Sequence, residues 1–257
     1  MGADEAKQAI FTQTQADMAR ALPDPGWSGR QKLALAARLL AADGHASGLA
    51  GQITLRHDAE TFWTIGFGLG FDEASATNSI RVNHDMTVVE GAGFPNPANR
   101  FHAWIYRARP DARAIVHTHA PWTAALSMTA EPLVISHMDT TPLYNDVAYL
   151  RDWPGVPVAD DEGRIIAAAL GDKRAILMKH HGLLTLGASM EEAAVLAIFM
   201  ERAAAMHLRA RSIGPIEPIP AAHAQEAHDF LLKPLIVNAT FNYFSRGVLR
   251  HAPQVLM

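Results

Sequence analysis

Apolar residues along the chain alternate between two periods, one helical and one extended. Leu33, Ala36, Ala37 and Leu40 recur at helical spacing behind Ser28, a good N-cap residue, and Gly44 can end the helix they predict. Residues 53–57 and 61–65 read as strands joined by a polar turn. Residues 80–83 and 87–90 read as a second hairpin with His84 and Asp85 at its turn. A helix is predicted over 99–109, ahead of Pro110. A short buried strand follows at 112–116, and a helix opens at Pro121 and runs to 127. Further on, the pattern predicts strands at 133–136, 174–179 and 183–186. It predicts helices at 161–170 and 190–211, and mainly helix across 221–244.

Helices that alternate with many short strands, hairpins included, predict a mixed-sheet α/β layer fold and not a purely parallel one. One catalytic domain is expected at 26–215. Residues 1–25 form a polar lead-in ending in PDPG and read as an arm. Residues 216–257 read as a helical arm suited to packing on a neighbouring subunit.

Composition narrows the function classes. The 257 residues are 49% hydrophobic and 19% charged, with a net charge of −4, which gives no electrostatic reason to expect nucleic acid or an anionic membrane as partner. No apolar run reaches the length of a membrane span, and the N-terminus lacks the apolar core of a signal peptide, so a cytoplasmic protein is expected. There is no cysteine, so any metal site must use histidine or carboxylate.

Thirteen histidines are present, and some sit at the ends of apolar runs. His117 and His119 close the strand predicted before Pro121. Alternation puts the side chains of residues i and i+2 on one face, where two imidazoles can share an ion. Lys179-His180-His181-Gly182 follows a second apolar strand, and its glycine permits a tight turn. Three protein ligands with open positions mark a catalytic metal site and not a structural one.

With these motifs in place, RPDARAIVHTHAPWTAALS and DKRAILMKHHGLLTLGAS resemble the two core blocks of the class II aldolase/adducin family. GLAGQITLRH resembles its glycine-rich block. The resemblance spans roughly 28–215. It implies α/β/α layers around a mixed, largely antiparallel sheet, and one divalent ion, Zn²⁺ or Mn²⁺, on His117, His119 and His181. It further implies a homo-oligomer, most often a tetramer, with sites at subunit boundaries.

The chain departs from the sugar-phosphate members of that family in one direction. Ala98 stands where their metal-binding glutamate would be, Asn96 and Pro97 replace serines, Gln52 replaces an asparagine, and Phe67 replaces a small hydroxyl residue before Gly68. Phosphate recognition needs donors that Phe67 and Pro97 do not supply. A non-phosphorylated carboxylic acid, hydroxy, oxo or aromatic, is therefore the expected substrate, in a pocket of Trp63, Phe67 and His137. His102 and His137 are the candidates to replace the glutamate in proton transfer. Tyr243 is a further catalytic candidate from a neighbouring subunit. Gln52, Gly68, Arg100 and Arg246 are candidate substrate contacts. The expected reaction is carbon–carbon cleavage, by decarboxylation or retro-aldol chemistry, with the ion stabilising an enolate-like carbanion as a Lewis acid. A non-catalytic, adducin-like binding module and a sugar-phosphate aldolase or epimerase are the competing readings. A His-Glu-x-x-His hydrolase pattern is absent.

Overall fold

The computed structural model describes residues 3–129, 131–156 and 158–257. Ser28 caps α2 (Gly29–Ala42) as expected, in a reciprocal capping box with Gln31. The eight strands are β1 (Gln52–Arg56), β2 (Thr61–Ile65), β3 (Ser79–Asn83), β4 (Val88–Glu90), β5 (Ala114–Thr118), β6 (Val147–Leu150), β7 (Ala175–Met178) and β8 (Gly182–Gly187). They form one sheet in the order β4-β3-β2-β1-β5-β8-β7-β6, antiparallel except for the β6–β7 pair.

Alternation along the strands sorts the core into two layers. Ile53, Val116, Leu177 and Leu183 face α2, α6 (Met190–Arg211) and α8 (Pro234–His251). Ile115, Ile176, Leu184 and Leu186 face α3 (Asn99–Ala108) and α5 (Asp160–Leu170). Because helices cover both faces, β5 and β8 are buried along their whole length and read as continuous apolar runs. The remaining helices are α1 (Ala3–Ala21), α4 (Pro121–Ser127) and α7 (Ala221–Leu231). The expected α/β/α layering around a mixed, largely antiparallel sheet is present. Among the described residues no helix is long and apolar enough to cross a membrane.

Several local expectations are corrected. Most of the N-terminal arm is the helix α1, held by Phe11 against Phe230 at 4.9 Å between ring centroids and by a Lys7–Glu226 ion pair. Residues 133–136 pair with no strand. Their backbone amides instead meet the Tyr149 hydroxyl and the His207 ring. One of the sheet's two edge strands is β6, which its short and mostly half-buried run did not reveal. The helix expected at 221–244 is two helices, because Pro234 cannot continue the first and suits the first turn of the second.

Candidate metal centre

Strand directions bring three histidines to one edge of the sheet. Because β1 and β8 run antiparallel to their neighbours, the C-terminal ends of β2, β5 and β7 share that edge. His117 belongs to β5, His119 lies just past its end, and His181 sits in the short turn between β7 and β8. The three ring centroids are 4.7–4.9 Å apart, and one ligand atom from each lies within 4.8 Å of the others.

The donor set fits a cation. His117 Nδ1–H donates to the Leu183 carbonyl at 2.7 Å, which leaves the Nε2 lone pair facing the site. That Nε2 is 3.1 Å from Nε2 of His119. Two ligands about 2.05 Å from one tetrahedral ion stand roughly 3.3 Å apart. Burial, then His181 and His119, hold the pKa of His117 well below the usual histidine value. Burial, then His119, lowers His181 to about 4, and burial lowers His119. The rings are therefore neutral near pH 7, the form that ligates.

Two devices fix the strand end that carries His119. Gly51, at φ +104°, lies so close to β5 that an added Cβ would stand 3.0 Å from the His117 carbonyl oxygen. On the other side, the buried Glu201 of α6 accepts the Trp122 and Thr123 amides at 2.7 and 2.8 Å and the Thr123 hydroxyl at 2.9 Å. It thereby caps α4, which follows His119 directly. Charged acceptors of this kind contribute about 1.5–3 kcal/mol each. Glu201→Ala is expected to cost at least about 2 kcal/mol in urea unfolding. A loss below about 0.5 kcal/mol, the range of an ordinary surface change, would remove the capping role.

Behind the imidazoles lies a buried polar layer. Thr54 Oγ1 meets His102 Nδ1 at 2.9 Å and the Tyr106 hydroxyl at 2.8 Å, and Asn99 Nδ2 donates to Thr64 Oγ1 at 3.3 Å. His45 pairs with Thr118 Oγ1 at 2.9 Å. Burial lowers both His45 and His102 to about 3. A histidine depressed in the folded state contributes stability in full above its unfolded value of about 6.5, and that stability is lost as pH falls toward the folded value. Between pH 7.5 and 5, in the presence of chelator, each is expected to remove about 2 kcal/mol from the unfolding free energy. A flat urea-unfolding profile over that range would contradict their burial as neutral rings.

The other site candidates divide sharply. Gln52 is the register partner of His117, and Gly68 lies in the loop just beyond β2. Arg100 does not join them, being paired with Asp160 of α5 at 3.7 Å. His102 is sealed in the polar layer. Half-exposed His137 caps the 3-10 turn Met138–Leu143 through its own ring and shares no hydrogen bond or ring contact with the triad among the described residues. Tyr243 and Arg246 are exposed on α8, over the opposite face of the sheet. Trp63 also faces that other layer, between Arg30 and Arg81, so the expected pocket of Trp63, Phe67 and His137 does not assemble within one chain. Ala98, at the start of α3, offers no ligand atom. Sequence reasoning missed Asn99, Thr64 and Glu201. Each was visible only as a polar residue at an inward-facing position.

An eight-stranded sheet between two helical layers, with His-x-His and His-His-Gly converging at one edge, is an architecture of the class II aldolase type. The sequence profile of the Class II Aldolase and Adducin N-terminal domain matches residues 31–208, and the chain belongs to that family. It is 36% identical over 182 residues to a 4-hydroxy-3-prenylphenylpyruvate oxygenase/4-hydroxy-3-prenylbenzoate synthase of Streptomyces roseochromogenus, covering 69% of this chain and 66% of that one. It is equally similar to decarboxylase NovR of Streptomyces niveus, covering 69% and 67%. The chain thus spans about two thirds of the length of these relatives. Among solved structures, an L-fuculose 1-phosphate aldolase from Glaciozyma antarctica superposes with a TM-score of 0.83 at 27% identity, over 93% of this chain and 98% of that one.

Proposed function

We propose that this protein is a divalent-metal-dependent carbon–carbon lyase that cleaves a non-phosphorylated hydroxy, oxo or aromatic carboxylic acid by decarboxylation or retro-aldol chemistry. The observation that carries the reading is the convergence of three neutral imidazoles at an open sheet edge with, among the described residues, no carboxylate grouped with them. His117, His119 and His181 would hold the ion, Zn²⁺ or Mn²⁺. That ion would supply Lewis acidity toward a substrate oxygen as negative charge develops beside the breaking bond. The retained ligands also disfavour a purely adducin-like binding role.

The chain's own groups do the rest. The Leu183 carbonyl fixes the His117 tautomer, and Phe101 packs edge-on at 5.2 Å to hold the ring's plane. Gln52, beside His117, and the backbone of the Gly68 loop orient the substrate. His102, neutral and enclosed, acts by positioning and not by proton transfer. Proton transfer is assigned to His137 and Tyr243 and substrate contact to Arg246, brought from neighbouring copies in a homo-tetramer, since all three are exposed and, among the described residues, share no hydrogen bond or ring contact with the triad of their own chain. A second reading, oxygenation, is favoured by one relative's description as an oxygenase.

Purified protein loaded with Zn²⁺, Mn²⁺ or Fe²⁺ should be assayed against a panel of hydroxy and oxo acids and sugar phosphates. CO₂, carbonyl products and O₂ uptake should be followed together. Chelator-sensitive cleavage of an acid without O₂ uptake is the expected outcome. Micromolar affinity for a sugar phosphate, or turnover indifferent to chelation, would overturn the reading. Stoichiometric O₂ uptake would select the oxygenase.

A further inference from the structure

Apolar side chains stand exposed on the same sheet edge that carries the imidazoles. Phe67 is 48% and Phe94 60% accessible, with Leu49 similarly open in the loop before β1. Register places them. Gln52 faces His117 across β1–β5, and the Thr54–Thr64 pairing carries that level on to Gly66, just past β2. Gly66 bridges Pro95, and the Phe67 amide donates to the Phe94 carbonyl at 2.6 Å. The two rings meet edge to face at 6.5 Å and 75°. Two strand spacings put the start of this pair about 10 Å from His117 along the edge.

We propose that Phe67 and Phe94 form an aromatic clamp that receives the ring of an aryl carboxylic acid whose carboxyl-bearing end lies at the His117–His119–His181 triad. The assignment deepens the lyase reading and rests on it. Rings left open beside a polar centre give a ligand an apolar body at one end and an anionic head at the other. Their backbones are tied together, so the clamp is pre-formed and little ordering opposes binding. Neither ring nor the neighbouring Pro97 offers a side-chain donor to a phosphate. The edge-to-face geometry leaves open π faces against which a third ring can pack.

The test uses three probes on Zn²⁺-loaded protein, followed by NMR titration: 4-hydroxybenzoate, glycolate and benzyl alcohol. Phe67→Ser and Phe94→Ser are each expected to weaken both aromatic probes about tenfold and to leave glycolate within about twofold. His119→Ala is expected to abolish glycolate binding and to spare benzyl alcohol. Aromatic affinity unchanged in both serine variants, or lost in equal measure for glycolate, overturns the clamp, as does a wild-type protein that binds neither aromatic probe. Wild-type binding of benzyl alcohol without either carboxylate, lost in the serine variants, keeps the clamp and removes the lyase reading. A change of mass by light scattering in the serine variants would make the pair a contact between copies, which also overturns the clamp.

Discussion

His119→Ala is expected to lower turnover by about a thousandfold or more and to leave the fold intact. His119 is the ligand best suited to this test. Its ring is partly exposed, and among the described residues the ring's one hydrogen-bond contact is with His117 Nε2. His117, by contrast, is buried and bonded to the Leu183 carbonyl, so its loss would also disturb β8. Removing a group that merely supports a ligand lowers metal affinity about 10–100-fold, and losing a ligand should exceed that. Lewis-acid stabilisation is worth several kcal/mol, and about 4 kcal/mol corresponds to a thousandfold in rate. Binding has a direct readout in stability. An ion at about 100 times its dissociation constant adds about 2.7 kcal/mol to the native state, or roughly 5–10 °C in Tm for a chain of this size. The wild type should show that gain with Zn²⁺ or Mn²⁺, and His119→Ala should show little of it. A variant that keeps one ion per chain at unchanged affinity would dismiss the triad as the metal centre.

The periodic elements were legible because burial on both faces forces apolar runs and amphipathic helices into the sequence. Both hairpins, the long helix α6 and the strands flanking the histidines fall within a residue or two of where the pattern puts them. β6 was not legible. It is an edge strand with one neighbour, so only Leu150 of its four residues is buried and little alternation is imposed. Residues 133–136 misled in the opposite sense. They are apolar because Leu133 and Ile135 pack on the core, yet side-chain acceptors satisfy two of their amides and no partner strand is needed. In the site, the histidine motifs announced themselves by spacing. Trp63 did not announce its direction, because its face depends on which of two alternating residue sets meets α3. Phe62 takes that side and sends Trp63 to the other layer. Phe94 was hidden because its nearness to Phe67 arises from a bridge between Gly66 and Pro95, which are 29 residues apart in sequence and related by no periodic rule.

Gly182→Ala is expected to lower Tm by roughly 5–10 °C and to weaken ion binding more than tenfold, although it adds one methyl group. The sequence reading assigned this glycine to a tight turn. The structure gives the turn's left-handed conformation to His180 instead, at φ +58°, while Gly182 has ordinary strand geometry. What glycine supplies is proximity. A Cβ on Gly182 would stand 2.4 Å from the Thr118 carbonyl oxygen and 3.3 Å from Cα and Cδ2 of His119. Both neighbours belong to the strand end that presents two of the three imidazoles, so β8 can lie against β5 closely enough to deliver His181 only without that atom. Relief requires backbone to move, because the carbonyl is in the β5–β8 ladder region and is not the tip of a flexible side chain. Overpacking of this kind costs about 1–3 kcal/mol and more where backbone is involved. Gly214→Ala is the matched control. The same methyl group there meets nothing within 4 Å, and its effect should stay within about 0.5 kcal/mol. If the two variants melt together and bind the ion alike, close approach at Gly182 is not what brings the third imidazole to the other two.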